Sequence, residues 1–228
     1  MVAEYNISTI TQLFYFARPK VAPIPSSKLA GLRALHDRAL TALHRCQETQ
    51  SIDFKRSEDW NSLRWRITET VLGMGNLRDG GVIIVGVEEK SDAWELTGIS
   101  EEHLKSYDVD IVVDQVNAYV SPHVNLGLAI LPENAQTFLV IEVQEFEDTP
   151  LVCKKNGPES SKLVEGAVYI RPHGLAKTTR VMKAEQMHDL LELAAEKRAR
   201  RILEVGRRVG LVPAETAGQK FDEELGGL

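Results

Sequence analysis

The sequence predicts an α+β domain, one mixed β-sheet flanked by helices, with helical extensions at its N-terminal and C-terminal ends. Apolar residues recur at spacings of three and four in some stretches, the mark of amphipathic helices. Between them lie Val/Ile runs bounded by glycine and short segments alternating apolar with polar residues, which read as strands. The order is helix, strand, helix, paired strands, helix, several strands and a closing helix, which suits a layered structure with its strands in one sheet.

Residues 1–25 open with a mixed apolar stretch, and "RPKVAPIPSS", with its prolines and paired serines, reads as a linker before a helix cap. A helix is predicted from about Lys28 to Gln47, where Leu29, Leu32, Leu35, Ala39 and Leu43 share a face that Leu40 widens. Such a face needs a partner, and a second copy of the chain is one candidate. In "ETQSIDFK", Ile52 to Lys55 alternate with period two, so Asp53 and Lys55 share the polar side of a short strand, with Glu48 nearby. Ser57, Glu58 and Asp59 are cap candidates for a core helix striped by Leu63, Ile67, Val71, Met74 and Leu77.

Gly80 and Gly81 make a tight turn into "GGVIIVGVEEK", whose Val/Ile run marks a central strand, with "WELTGI" as its hairpin partner. "EEHLKSYDVDIVVDQVNAYV" reads as one further helix, stopped by Ser121-Pro122. "VNLGLAIL", "TFLVIEV" and "AVYIRP" are strands, the last two separated by a polar excursion with a short strand at Leu151 to Lys154. A helix from about Lys183 to Val205 closes the fold. The organisation expected is a helical extension over 1–45, the main domain over 46–192, the end of the basic closing helix over 193–210, and a frayed acidic tail over 211–228.

At 43% hydrophobic residues over 228 positions, the chain has enough apolar side chain for a substantial core. No stretch approaches the roughly 18 uninterrupted apolar residues of a membrane span, and the N-terminus lacks a secretory layout, so a cytoplasmic protein with no membrane partner is expected. Cys46 and Cys153 are the only cysteines, with no CxxC and no zinc spacing, which leaves two free thiols as the expectation. A net charge of −6 excludes a protein that coats nucleic acid by bulk electrostatics, while leaving room for a local basic patch.

Four motifs in order resemble the Schlafen AlbA-type (divergent AAA) family. They are "ETQSIDFK" for its E-x4-E-x-K, "ITETVLGMGNLRDGGVIIVGVEE" for its helix, Asn, Gly-Gly and Gly-Val-x-Asp run, the proline-bearing "SPHV", and "VYIRPHG" for its Tyr-Ile-Arg-x-Gly strand; together they span about Cys46 to Leu191. The resemblance implies an AlbA-like fold that binds nucleic acid, RNA favoured and DNA possible. In nuclease members three carboxylates work with a divalent metal on tRNA or rRNA. Carried over, Glu48, Asp53 and Glu89 match the three acids as catalytic residues and ligands for Mg or Mn, and Lys55 matches the assisting lysine. Asp53 stands where Glu is usual, Glu89 where Asp is usual, and "YIRPHG" has one residue more before its glycine. Hard cations take carboxylate oxygens and substrate phosphate, and a nearby lysine can stabilise charge building on phosphorus.

Arg171, His173, Lys177 and Arg180 form a cationic cluster after the last strand, and Arg56, Arg64 and Arg66 follow the acidic one; these are the candidate phosphate contacts. The basic run "EKRARRILEVGRR" is split between helix-dipole complementarity and an extension of that track. Trp60, Trp65 and Trp94 are scattered singly and read as core or rim packing. The glycines do not spell a phosphate-binding fingerprint, so no ATP is expected. Three functions follow: a metal-dependent endoribonuclease on structured RNA such as tRNA, a non-catalytic DNA- or RNA-binding module, and an assembly subunit recruiting a protein partner through the N-terminal helix. Family cores join two such lobes in one groove, so a single-lobe chain implies a homodimer.

Overall fold

A computed structural model describes residues 26–91 and 93–211. The expectations for the N-terminal linker and for the acidic tail from 212 onward lie outside those residues. Strand β2 (Gly81–Val85) is buried along its whole length, and its alternation divides the fold into two cores. Val82 and Ile84 face one way, Ile83 and Val85 the other. β2 is flanked in parallel by β1 (Ile52–Lys55) and antiparallel by β7 (Gln136–Val143), which pairs in turn with β6 (Leu126–Glu133). The order β1-β2-β7-β6 makes the mixed sheet that the sequence predicts and leaves β1 on an open edge.

Helix α1 (Ser26–Arg45) covers one face. Its Leu35, Ala39, Ala42 and Leu43 pack on Ile52, Phe54, Val82, Ile84, Phe138 and Val140. Burying a leucine contributes about 1.5–3 kcal/mol, so Leu35 and Leu43, part of the stripe offered above as a surface for a second copy or a protein partner, are held by the chain's own sheet. Helix α2 (Trp60–Gly75) covers the other face with Leu63, Ile67, Val71, Leu72 and Met74 against Ile83, Val85, Leu139 and Ile141. Asp59 starts α2 by accepting the backbone N–H of Ser62.

Two expectations need correction. The strands do not form one sheet: β3 (Val87–Lys90) pairs with β4 (Ala93–Leu96), β5 (Val120–Ser121) with β8 (Val152–Cys153), and β9 (Tyr169–Ile170) with β10 (Thr179–Arg180), each as a separate two-stranded ribbon. Gly86, at φ 114°, turns β3 away from β2; a side chain there would meet the Gly98 backbone at 2.7 Å. The predicted helix over 101–120 is two helices, α3 (Glu101–Lys105) and α4 (Val109–Asn117). Asp108 breaks the run because its carboxylate accepts the N–H of Ile111 and caps a new helix, while Tyr107 turns inward and donates its hydroxyl to the Glu58 carbonyl. The closing helix α5 (Ala184–Arg208) docks Leu190, Leu193 and Ala194 on the α2-side core.

Candidate nucleic-acid interface

The alternation in β1 holds, yet its polar side faces protein. Ile52 and Phe54 join the α1-side core, so Asp53 and Lys55 point beneath the α2 layer, and Asp53 is only 5% exposed. A carboxylate there must be paired, and the partner is Arg171, from the residue after β9. Its Nη1 donates to Asp53 Oδ1 at 3.0 Å, while Lys55 Nζ binds Asp53 Oδ2. Arg171 Nη2 donates to the carbonyls of Thr49 and Ile52 at 3.1 and 3.4 Å, and Gln50 holds the Arg171 carbonyl. Glu48 Oε1 accepts the Phe54 N–H at 2.7 Å. On a strand at the sheet's edge, these side chains satisfy backbone groups that lack a neighbouring strand.

Burial pushes the Glu48 carboxyl above its ordinary range, against the opposing Phe54 N–H. Glu69 on α2 is raised by burial too, opposed by Lys162, Lys55 and Lys177. Those three lysines, from β1, the loop after β8 and the segment after β9, are within electrostatic reach of one helix position. Glu69 was not a candidate from the sequence, and no local signal marks it between Thr68 and Thr70.

Several candidates fall elsewhere. Arg171, a candidate phosphate contact, is 1% exposed, and its Nη1 and Nη2 are engaged by Asp53 and the strand carbonyls, while its Nε is buried without a hydrogen-bond partner. Glu89 is exposed on the β3 ribbon opposite Trp94. Among the described residues no three His, Cys, Asp or Glu side chains are grouped as metal ligands, so Glu48, Asp53 and Glu89 do not make the expected metal triad. The donor chemistry agrees, because both Asp53 oxygens are occupied by cations and one Glu48 oxygen by a backbone N–H. These residues do not fit a metal held by three carboxylates.

The remaining cations divide by exposure. Arg56 is exposed but ion-paired with Glu58. Arg66, His173, Lys177 and Arg180 are exposed and carry no ion pair among the described residues. Arg64 is half-buried, with its guanidinium 4.2 Å from the Trp65 ring centre. It opens a cleft of about 520 Å³ lined by Trp65, Gln115, Tyr119 and Asn156, which sequence reasoning missed. Trp65 and Tyr119 lie 54 positions apart in sequence (119 − 65), and nothing local signals that they meet.

The Schlafen, AlbA_2 family model matches residues 48–179, more than half of the chain, and the chain belongs to that family. This membership points to a nucleic-acid-binding module. No curated protein sequence matches the chain significantly. Among solved structures, the chain is similar to the DIP2311 protein from Corynebacterium diphtheriae, at 17% identity and a TM-score of 0.45 over 68% of this chain and 28% of that one. It is also similar to the N-terminal domain of a putative ATP-dependent DNA helicase RecG-related protein from Nitrosomonas europaea, at 19% identity and a TM-score of 0.38 over 66% of this chain and 94% of that one. The chain thus spans about a quarter of the length of the first and nearly all of the second. No helix among the described residues is long and apolar enough to cross a membrane.

Proposed function

We propose that the protein is a non-catalytic nucleic-acid-binding module in which the acidic strand is scaffold and exposed cations contact phosphate. The observation that carries this reading is the neutralisation of Asp53 within the fold, with one oxygen on Arg171 and the other on Lys55. A carboxylate whose lone pairs already face two cations has little to offer a metal, and Arg171 supplies the positive charge that a metal would otherwise bring. Arg66, His173, Lys177 and Arg180 remain for sequence-independent contacts, which suits local binding by a chain of net charge −6.

The test is fluorescence anisotropy of the full chain with labelled tRNA and single-stranded DNA over a salt series, with Mn, with Mg and with chelator. Binding should weaken steadily with salt, by about 0.7–0.9 log units of affinity per log unit of salt for each phosphate neutralised. Chelator should leave it unchanged, and the substrate should stay intact on a gel. Metal-dependent cleavage by the intact protein would reinstate an endoribonuclease and sink the scaffold reading of Asp53.

A further inference from the structure

The cleft between α2 and α4 is built differently from the acidic strand. Trp65 and Tyr119 meet edge to face with ring centres 5.1 Å apart, and each carries a cation: Arg64 over Trp65, and Lys155 with Nζ 4.4 Å from the Tyr119 ring centre. None of the lining residues is a carboxylate. Arg64 Nε is buried without a hydrogen-bond partner, and neither Arg64 nor Lys155 has an ion pair among the described residues. Two cations held over aromatic faces without counter-charges form a place for an anion that has an aromatic component.

The polar lining sharpens the ligand. Gln115 Oε1 accepts the Trp60 indole N–H at 2.9 Å, and Asn156 Oδ1 accepts the Glu165 backbone N–H at 2.9 Å. Both amides are thereby oriented, and their NH₂ groups have no protein acceptor among the described residues. Fixed donors beside aromatic rings match the acceptor edge of a nucleobase, and the volume falls within the range of about 300–1,000 Å³ of small-ligand sites. A base paired in a duplex hides that edge and both faces; an unpaired one offers them.

We propose that this cleft is a stacking subsite for one unpaired base of a single-stranded nucleic acid, with Arg64 and Lys155 holding the flanking phosphates. The inference rests on the nucleic-acid-binding reading above and adds a strand preference that exposed cations alone do not give. RNA and DNA share the base and phosphate chemistry, so the experiment carries both.

The experiment measures affinity of the full chain for single-stranded RNA and DNA of about twelve nucleotides and for a blunt duplex of the same length, following anisotropy and indole fluorescence. The single strand should bind at least about tenfold tighter than the duplex and quench indole emission, the tighter of RNA and DNA identifying the sugar. Tyr119→Ala should weaken single-strand binding on the order of tenfold and leave duplex binding unchanged. Lys155→Ala, at an exposed position, should weaken it severalfold and decides the matter should Tyr119→Ala fail to fold. Equal affinity for single strand and duplex, with Lys155→Ala indistinguishable from wild type, would overturn the subsite and leave nucleic-acid binding standing. No affinity for any of these ligands overturns both.

Discussion

At the scale of residues, Asp53 and Arg171 show how a charge motif becomes a structural one. Asp53→Asn leaves the buried Arg171 guanidinium without a counter-charge, at about 3–5 kcal/mol, and Arg171→Ala leaves Asp53 on Lys55 alone and the Thr49 and Ile52 carbonyls without their donor. Arg171→Ala should therefore lower the urea midpoint strongly, and Asp53→Asn should do so to a similar degree, whereas His173→Ala should stay within about 0.5 kcal/mol of wild type. A normal midpoint for Arg171→Ala would mean that the pair does not hold the edge of β1. Glu48 gives a pH-dependent counterpart. Its folded carboxyl is raised above the unfolded one, so the stability it contributes is complete below the ordinary glutamate range and is lost as pH rises through the folded value. Glu48→Gln should therefore stabilise the protein at neutral pH and make no difference near pH 3, as thermal melts at the two pH values would show. The alternation in "IDFK" was readable as a period of two, but a period does not say whether the polar side meets water or a second layer. Arg171 lies 118 positions from Asp53, and no local rule reveals that distance closing.

Among elements, the junction between α2 and β2 concentrates the constraints that the glycine-rich run encodes. Asn76, the C-cap of α2, is buried; its amide donates to the carbonyls of Leu151 and Tyr169, both at 2.9 Å, and its Oδ1 accepts the Leu151 N–H at 2.7 Å. One side chain thus ties the helix end to the segments leading into β8 and β9. Asn76→Ala should cost several kcal/mol, since each orphaned buried group carries a penalty of about 1–3 kcal/mol. Asn76→Asp should not rescue it, because a carboxylate cannot donate to two carbonyls; a near-native denaturation midpoint in either variant would contradict the clamp. Gly80 sits at φ 59° with its missing side chain directed at the Val143 carbonyl, so Gly80→Ala combines backbone strain with a collision. That glycine was legible as a turn. The role of Asn76 was legible only as a motif position, because its three hydrogen bonds go to two residues, Leu151 and Tyr169, far away in sequence. The division of α3 from α4 was missed because the apolar periodicity runs on through Tyr107, and only the competing cap at Asp108 interrupts it.

For the whole molecule, the decisive feature is that the sheet has two buried faces and one of them belongs to α1. The expected boundary near residue 45 separates an extension from a domain, and the family model likewise begins at residue 48. The packing crosses that boundary: Leu35, Ala39, Ala42 and Leu43 complete the core containing Ile52, Phe54, Val82, Ile84, Phe138 and Val140. Leucine spacing gave the helix and its sticky face in advance, but amphipathicity names no partner, and the sheet and a second copy are equally apolar to it. A chain shortened to begin at Cys46 should consequently expose that sheet face, bind a hydrophobic dye and lose a cooperative thermal transition. If the shortened chain instead melts cooperatively at the wild-type midpoint without binding dye, α1 is an appendage and its stripe returns as a surface for another protein. With α1 on one face and α2 with α4 on the other, neither broad face of the sheet is free for nucleic acid. On the reading proposed above, binding falls to the rim, where the exposed cations lie and where Trp65 and Tyr119 pack against the edge of the α2-side core.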